Sequence, residues 1–263
     1  MQSNGNEAGE FTKILATTLK ASNLSVIVGC CESTGWSITN QVVQQLKSSG
    51  GIASLGFITG HEYTSRANSP INTNLKVWET EYSDLNGGWT TVWYSNGGAG
   101  EGMTWANNIY SGLVNANCSA YLYWIATQDR ATNNNNNEKL ILVDGQTVTV
   151  SKRLWAFAQY SRFVRPGAVR ISSSNSGSLK SSAFKNLDGS IAIQIINSSG
   201  SAASVSIKGV QGTTVTSWLT DNTHDMDPVA ASIAADGTVT GTVAARALVS
   251  FVGKWTPFVL LPF

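Results

Sequence analysis

Two glutamates two residues apart, Glu79 and Glu81, close a short apolar run, Asn74 to Thr80 (NLKVWET), that reads as a strand. Side chains at that spacing share one face of a strand. A second run, Ile52 to Gly60, leads into His61, Glu62 and Tyr63, and a third, Ser119 to Ala126, carries Tyr121, Tyr123 and Trp124. Carboxylates among aromatic rings suit glycoside cleavage. The rings stack on sugars, one carboxylate attacks the anomeric carbon, and a second protonates the departing oxygen. Glu79 and Glu81 do not make that pair, because an i, i+2 step along a strand is about 6.5–7 Å against about 5–5.5 Å between the carboxyls of a retaining site. The outer one, Glu81, is the candidate, with its partner on another strand. The bland alternative for a lone strand-end glutamate is a structural ion pair. His61 and Tyr63 line one face, and a Tyr hydroxyl donating to a carboxylate favours the ionised form that a nucleophile requires. The alternative for His61 is a hydrogen-bonded structural histidine.

Other chemistries find less support. The chain has one further histidine, His224, and no Gly-x-Ser-x-Gly elbow, so a serine triad is not indicated. No His, Asp and Glu cluster has ligand spacing, so no metal is expected. No Gly-x-Gly-x-x-Gly or phosphate loop follows a strand, and no cofactor is expected. Three cysteines, Cys30, Cys31 and Cys118, allow one disulfide. Neighbours on a strand point to opposite faces, which speaks against a zinc cluster, and the pairing among the three stays open.

The elements that would position these residues alternate. Residues 7–22 have helical spacing through Phe11, Ile14, Leu15, Thr18 and Leu19. Leu24 to Gly29 (LSVIVG) reads as a strand buried on both faces. Residues 38–48 form a helix that Gly50 and Gly51 end. The runs at 52–60, 74–80 and 119–126 are strands, and 101–115 and 151–162 are helices. Alternation of this kind means parallel βα units. After Pro166-Gly167 the pattern changes to short alternating runs (SIAIQII, TTVTSWLT, ALVSFVG) broken by Asp188-Gly189 and Asp236-Gly237, which predicts an antiparallel β-sandwich. The domains expected are therefore 1–165, 166–253 and an atypical tail, 254–263, that fits no strand. The five asparagines 133–137 read as a loop tip.

The 263 residues are 42% hydrophobic and only 13% charged, with net charge +1. That balance argues against nucleic acid and against a polybasic membrane contact, and no apolar run reaches a membrane-spanning length. Nine tryptophans exceed routine core filling. Sequons at Asn23, Asn117 and Asn197 favour secretion, although the polar N-terminus lacks the apolar segment of a signal peptide.

Three segments resemble glycoside hydrolase family 30. Val77-Trp78-Glu79-Thr80-Glu81-Tyr82 is similar to that family's Trp-x-Thr-Glu nucleophile strand, Gly60-His61-Glu62-Tyr63 to its sixth barrel strand, and Trp155 to Gly167 to its last helix and exit into the sandwich. The stretches Val28 to Trp36 (VGCCESTGW) and Trp78 to Asp84 resemble the fungal endo-β-1,6-galactanase branch. The resemblance implies the C-terminal half of a (β/α)₈ barrel followed by a β-sandwich. It also implies a retaining mechanism with Glu81 as nucleophile, and Glu79 at a position not used in catalysis. His61, Tyr63 and Trp124 match residues near the reactive sugar, and Trp36, Trp89 and Trp93 would stack further sugars on the same rim. The implied substrate is the β-1,6-galactan of arabinogalactan, cut outside the cell, with a xylanase or β-glucosidase activity of the same family, or a non-catalytic carbohydrate-binding protein, as alternatives. The family's acid lies in an Asn-Glu-Pro motif on the fourth barrel strand. Here Asn6-Glu7 precedes Ala8 and a helix, so the expectation is a C-terminal piece without its general acid. Glu32 and Glu79 would be the first carboxyls to test if it proved active.

Overall fold

The computed structural model describes residues 4–131, 135–212 and 214–257. The chain divides into two compact units, Met1–Leu85 with Asn108–Ala126, and Asn86–Asn107 with Thr127–Phe263.

The first unit is built on four parallel strands, β1 (Gly29–Ser33), β2 (Phe57–His61), β3 (Lys76–Glu81) and β4 (Ala120–Tyr121), in that order across the sheet. Helix α1 (Gly5–Ala21) starts at a capping box, in which Asn4 Oδ1 accepts from Asn6 N and Glu7 N while Glu7 reaches back to Asn4 N. Glu7 is thus a helix cap. The buried side of α1 is Gly5, Ala8, Gly9 and Thr12, not the expected Phe11 and Ile14 stripe, which stays 63% and 67% exposed. Small residues win because the backbones approach closely. A Cβ on Gly9 would lie 2.4 Å from Ser49 Oγ, and one on Gly51 2.3 Å from Gly9 Cα. Helix α2 (Trp36–Ser49) buries Val42, Val43 and Leu46 on the sheet with Ile58 and Val77. It ends at Gly50, whose φ of 74° suits glycine.

The strands start later than the apolar runs suggest. Residues Gly51–Ser54 form a 3₁₀ turn, so β2 begins at Phe57, and its neighbour gains a strand partner only from Gly29 onwards. Leu24, Val26 and Ile27 are left exposed. A strand exists where a partner offers hydrogen bonds, whatever its hydrophobicity. The cysteine pairing that the sequence leaves open is set in the fold. Cys30 and Cys31 are bonded to each other, and Cys118 is the free, buried thiol. The pairing of β1 with β2 is irregular between Cys30 and Ser33, so the alternation that would separate neighbouring side chains does not hold there.

The second unit carries the sandwich. Its larger sheet runs Val169–Ile171, Leu179–Lys185, Ser190–Asn197, Ala247–Pro257, Thr216–Thr220, Asp225–Val229, and its smaller one Ala203–Ile207, Val239–Val243, Ala231–Ile233, all antiparallel. Ile191, Ile193, Ile195, Val205, Leu219, Val239, Val249 and Phe251 fill the space between them. The central strand Ser190–Asn197 is buried on both faces. Behind it lies the helix Lys152–Ser161, whose Gln159 carbonyl accepts from Ser250 Oγ and Gln194 Nε2 while its Nε2 donates to Thr220 Oγ1 at 2.8 Å. The tail is partly a strand after all. Lys254 pairs with Ser190, and Trp255 to Pro257 pair with Gly212 to Val210. Residues 258–263 lie outside the described residues, as do 133 and 134 of the asparagine run, while Asn136–Asn137 form a short strand. In the same unit Glu101, 4% exposed, accepts from the backbones of Ser95, Asn96 and Gly97 and from Ser95 Oγ. Burial acts against these bonds, but they hold its carboxyl down at about 2.

Two sequons, Asn23 and Asn117, are exposed. The third is not, since Asn197 is fully buried and its amide donates to the carbonyls of Ser201, Val243 and Ala244. No helix among the described residues is long and apolar enough to cross a membrane.

Candidate active site

The C-terminal ends of parallel strands gather side chains that the chain itself keeps far apart. Glu32 comes from β1, His61 and Tyr63 from the end of β2, and Glu81 from the last position of β3. Tyr63 donates its hydroxyl to Glu81 Oε1 at 3.1 Å and lies 3.5 Å from Ser83 Oγ. His61 Nε2 is 2.7 Å from Glu32 Oε2 and 3.9 Å from Glu81 Oε2. Thr80 Oγ1 donates to the same Glu32 oxygen at 2.6 Å. Glu81 is 28% exposed, so an incoming molecule can reach it. Trp124, 45% exposed, is tied by its backbone N–H to the Tyr82 carbonyl. Tyr82 packs edge-on against Tyr63, and the Arg66 guanidinium lies 4.2 Å above its ring. Glu81, His61, Tyr63 and Trp124 are therefore brought together within one unit.

Three expected sugar platforms fare otherwise. Trp36 is 3% exposed, with its indole N–H donated to the Ser69 carbonyl at 2.8 Å. Trp93 is fully buried and donates to the Arg246 carbonyl. Neither ring offers a face to solvent, because each fills a core with its one polar atom satisfied, and both are corrected from platform to packing. Trp89 is partly exposed in the second unit, with the Arg153 guanidinium 5.0 Å from its ring.

Two more carboxyls lie deeper in the first unit. Glu79 is fully buried and Glu62 is 2% exposed. Glu79 Oε2 accepts from Leu122 N, and Glu62 Oε2 accepts from Ala67 N with Arg66 Nε 3.5 Å away. Burial first, then the nearby Glu62 charge, push Glu79 well above the usual carboxylate range, against the N–H groups of Leu122 and Glu81 and the Arg66 charge. Burial likewise raises Glu62, and burial with both carboxyls raises the Cys118 thiol. Glu32 is the opposite case. Its partial burial is outweighed by bonds from His61, Thr80 and Thr59, which hold it below its ordinary range. The site thus sorts its carboxyls into Glu32 at the mouth, held below its ordinary range, and Glu79 and Glu62 beneath, both pushed above theirs. None of these three has the features of an acid that protonates a leaving group: one keeps no proton, and two have no opening to a substrate. Among the described residues no three His, Cys, Asp or Glu side chains converge as metal ligands.

Thr80 and Arg66 are site neighbours that pattern reading passed over, and Glu32 entered it only as a carboxyl to test, not as a strand-end residue. Placing the first strand at 24–29 put its end before Glu32. With the strand at Gly29–Ser33, the same strand-end rule that picks out His61 and Glu81 picks out Glu32 too.

Residues 167–251 match the family model for the glycosyl hydrolase family 30 β-sandwich domain. The first unit agrees with it. The structure of the catalytic domain of GH30 xylanase C from Talaromyces cellulolyticus superposes with a TM-score of 0.91 at 43% identity, over 96% of this chain and 58% of that one. A GH30 endoxylanase from Clostridium papyrosolvens C71 superposes at 0.74 with 20% identity, over 96% and 61%, a likeness of fold. Glucuronoxylanase XynC of Bacillus subtilis (strain 168) is 26% identical over 149 residues, which are 53% of this chain and 32% of that protein. The chain therefore spans less than two thirds of the length of each of these relatives. Its four parallel strands are part of a (β/α)₈ barrel, followed by the family's sandwich.

Replacing Tyr63 by Phe removes the hydroxyl that Glu81 accepts. A hydrogen bond to a charged group contributes about 1.5–3 kcal/mol. The expected result in the active protein is a fall of roughly tenfold or more in kcat with KM little changed. Steady-state kinetics check it, and an unchanged kcat would reduce Tyr63 to packing.

Proposed function

We propose that this chain is the nucleophile-bearing part of a retaining endo-glycosidase of the xylanase type, acting on polysaccharide outside the cell. The observation that carries the reading is Glu81 at a strand end, partly open to solvent, with Tyr63 donating to one oxygen and the His61 imidazole facing the other. In this reading Glu81 attacks the anomeric carbon and the glycosidic bond breaks. A general acid from outside these residues protonates the departing oxygen, and water then releases the glycosyl group from Glu81. Tyr63 and His61 orient the carboxylate, and Trp124 stacks on the sugar.

Xylan is preferred over galactan as substrate because the structure similar at 43% identity is that of a xylanase, whereas galactan has only the likeness of VGCCESTGW and WETEYSD behind it. The test is a panel of xylan, β-1,6-galactan and β-1,6-glucan with the longer protein that contains this segment, following reducing ends and the anomeric proton of the first product. Xylan cleavage with retained configuration is expected. Inversion would rule out the nucleophile, and cleavage of galactan alone would reverse the substrate choice.

A further inference from the structure

The loop that leaves β2 carries Tyr63, which donates to Glu81, and three residues later Arg66, whose bonds go elsewhere. That loop is closed without Arg66. Ala67 N donates to Glu62 Oε2 at 3.0 Å, Thr64 N to the Thr34 carbonyl and Trp36 N to the Ser65 carbonyl. Arg66 is nevertheless held from three sides. Its Nε lies 3.5 Å from Glu62 Oε2, its terminal nitrogen donates to Asn108 Oδ1, and its guanidinium carbon lies 4.2 Å above the Tyr82 ring. It also meets the Tyr82 hydroxyl by charge and hydrogen bond. A partly exposed arginine gains little from a single ion pair, and fixing its long side chain costs rotamer freedom. A loop clasp would need only the Glu62 contact. The further contacts fix Tyr82.

Three parts of the site converge on Tyr82. It follows Glu81 directly in the chain, its ring packs edge-on against Tyr63 with centroids 5.6 Å apart, and its carbonyl accepts from Trp124 N. Tyr63 also packs edge-on against His61, with centroids 6.0 Å apart. Its hydroxyl therefore reaches Glu81 at 3.1 Å from a ring whose place is set by its neighbours. A misplacement of about 1 Å in a reacting geometry can cost about 10²-fold in rate. We propose that Arg66 is a positioning residue for the nucleophile: by clamping the Tyr82 ring it fixes the Tyr63 ring, and with it the hydroxyl that Glu81 accepts. This rests on the glycosidase reading above.

The test is a double-mutant cycle in the longer protein, on the substrate of the panel above that it cleaves. Arg66→Met keeps an unbranched side chain without the planar charged fork. It is expected to lower kcat roughly threefold to thirtyfold, the scale of one cation–aromatic contact, with KM little changed. In a Tyr63→Phe background the same substitution should cost less than about twofold, because the hydroxyl that Arg66 places is gone. Tyr82→Leu removes the clamped ring and leaves the contact of Arg66 with Glu62 in place. It should show the same loss and the same dependence on Tyr63, and it decides the matter if Arg66→Met melts below the assay temperature. Two results would overturn the inference: a wild-type kcat in folded Arg66→Met or in Tyr82→Leu, or an equal loss with and without the Tyr63 hydroxyl, which marks a merely structural role. Hydrolysis that survives Glu81→Gln would instead overturn the glycosidase reading itself, which separates the two failures.

Discussion

In the longer protein, Glu81→Gln is expected to lower kcat by about 10³-fold or more, as loss of a covalent nucleophile does. The amide keeps the shape and can still accept from Tyr63, so the fold at the end of β3 should stay in place. What is lost is the charge that attacks the anomeric carbon. Glu81→Ala with added azide should recover part of the rate, because a small anion can occupy the vacated space. Glu79→Gln should cost far less, because Glu79 is already disposed to hold a proton and an amide resembles that form. Near-normal turnover by Glu81→Gln, measured by initial rates on xylan, would remove Glu81 from the role and direct attention to Glu32.

The second large effect concerns residues 1–263 expressed alone. They should not hydrolyse glycosides, since Glu32 keeps no proton to give and Glu62 and Glu79 are closed off from a substrate. General acid catalysis contributes about 10²–10⁴-fold. The same material should self-associate. Phe11, Ile14, Leu24, Val26 and Ile27 stand exposed and β1 lies at an edge of the sheet described, and such surfaces seek partners. Light scattering after size exclusion, alongside a xylan assay, checks both halves. A monomer with strong xylanase activity would show that an acid is present in this chain.

Much of the site was legible because it obeys a simple rule: side chains at the C-terminal ends of parallel strands converge. Glu81, His61, Tyr63 and Trp124 follow from that rule once the strands are placed. The sandwich was legible from period-two runs and Asp-Gly turns. What pattern reading missed depends on partners that are distant in sequence. Nothing local says that Gly51–Ser54 coils into a 3₁₀ turn, yet β2 starts only after it and β1 pairs with β2 only from Gly29, which puts Glu32 at a strand end. Nothing local separates a tryptophan that stacks on a sugar from Trp36 or Trp93, each of which spends its N–H on a carbonyl of another segment. The bond between Cys30 and Cys31 needs an irregularity in strand pairing, which periodicity assumes away.

The buried carboxyls tie folding to protons. Glu62 and Glu79 are both raised, so just above the ordinary glutamate range the native first unit holds protons that the unfolded chain has released. Native binding of the extra proton means that stability falls as pH rises through that window. Glu101 in the second unit has the opposite sign. It is held at about 2, so its contribution is complete above the ordinary glutamate range and disappears as pH falls towards 2. Acid should loosen one unit and alkali the other. A pH series of thermal melts, with Glu79→Gln flattening the alkaline decline and Glu101→Gln the acidic one, would show it, and a wild type whose melting does not decline on the alkaline side would mean that Glu62 and Glu79 ionise at no cost to the fold. A fold so built is at its most stable between the two declines, where the buried pair keeps its protons and Glu101 keeps its charge.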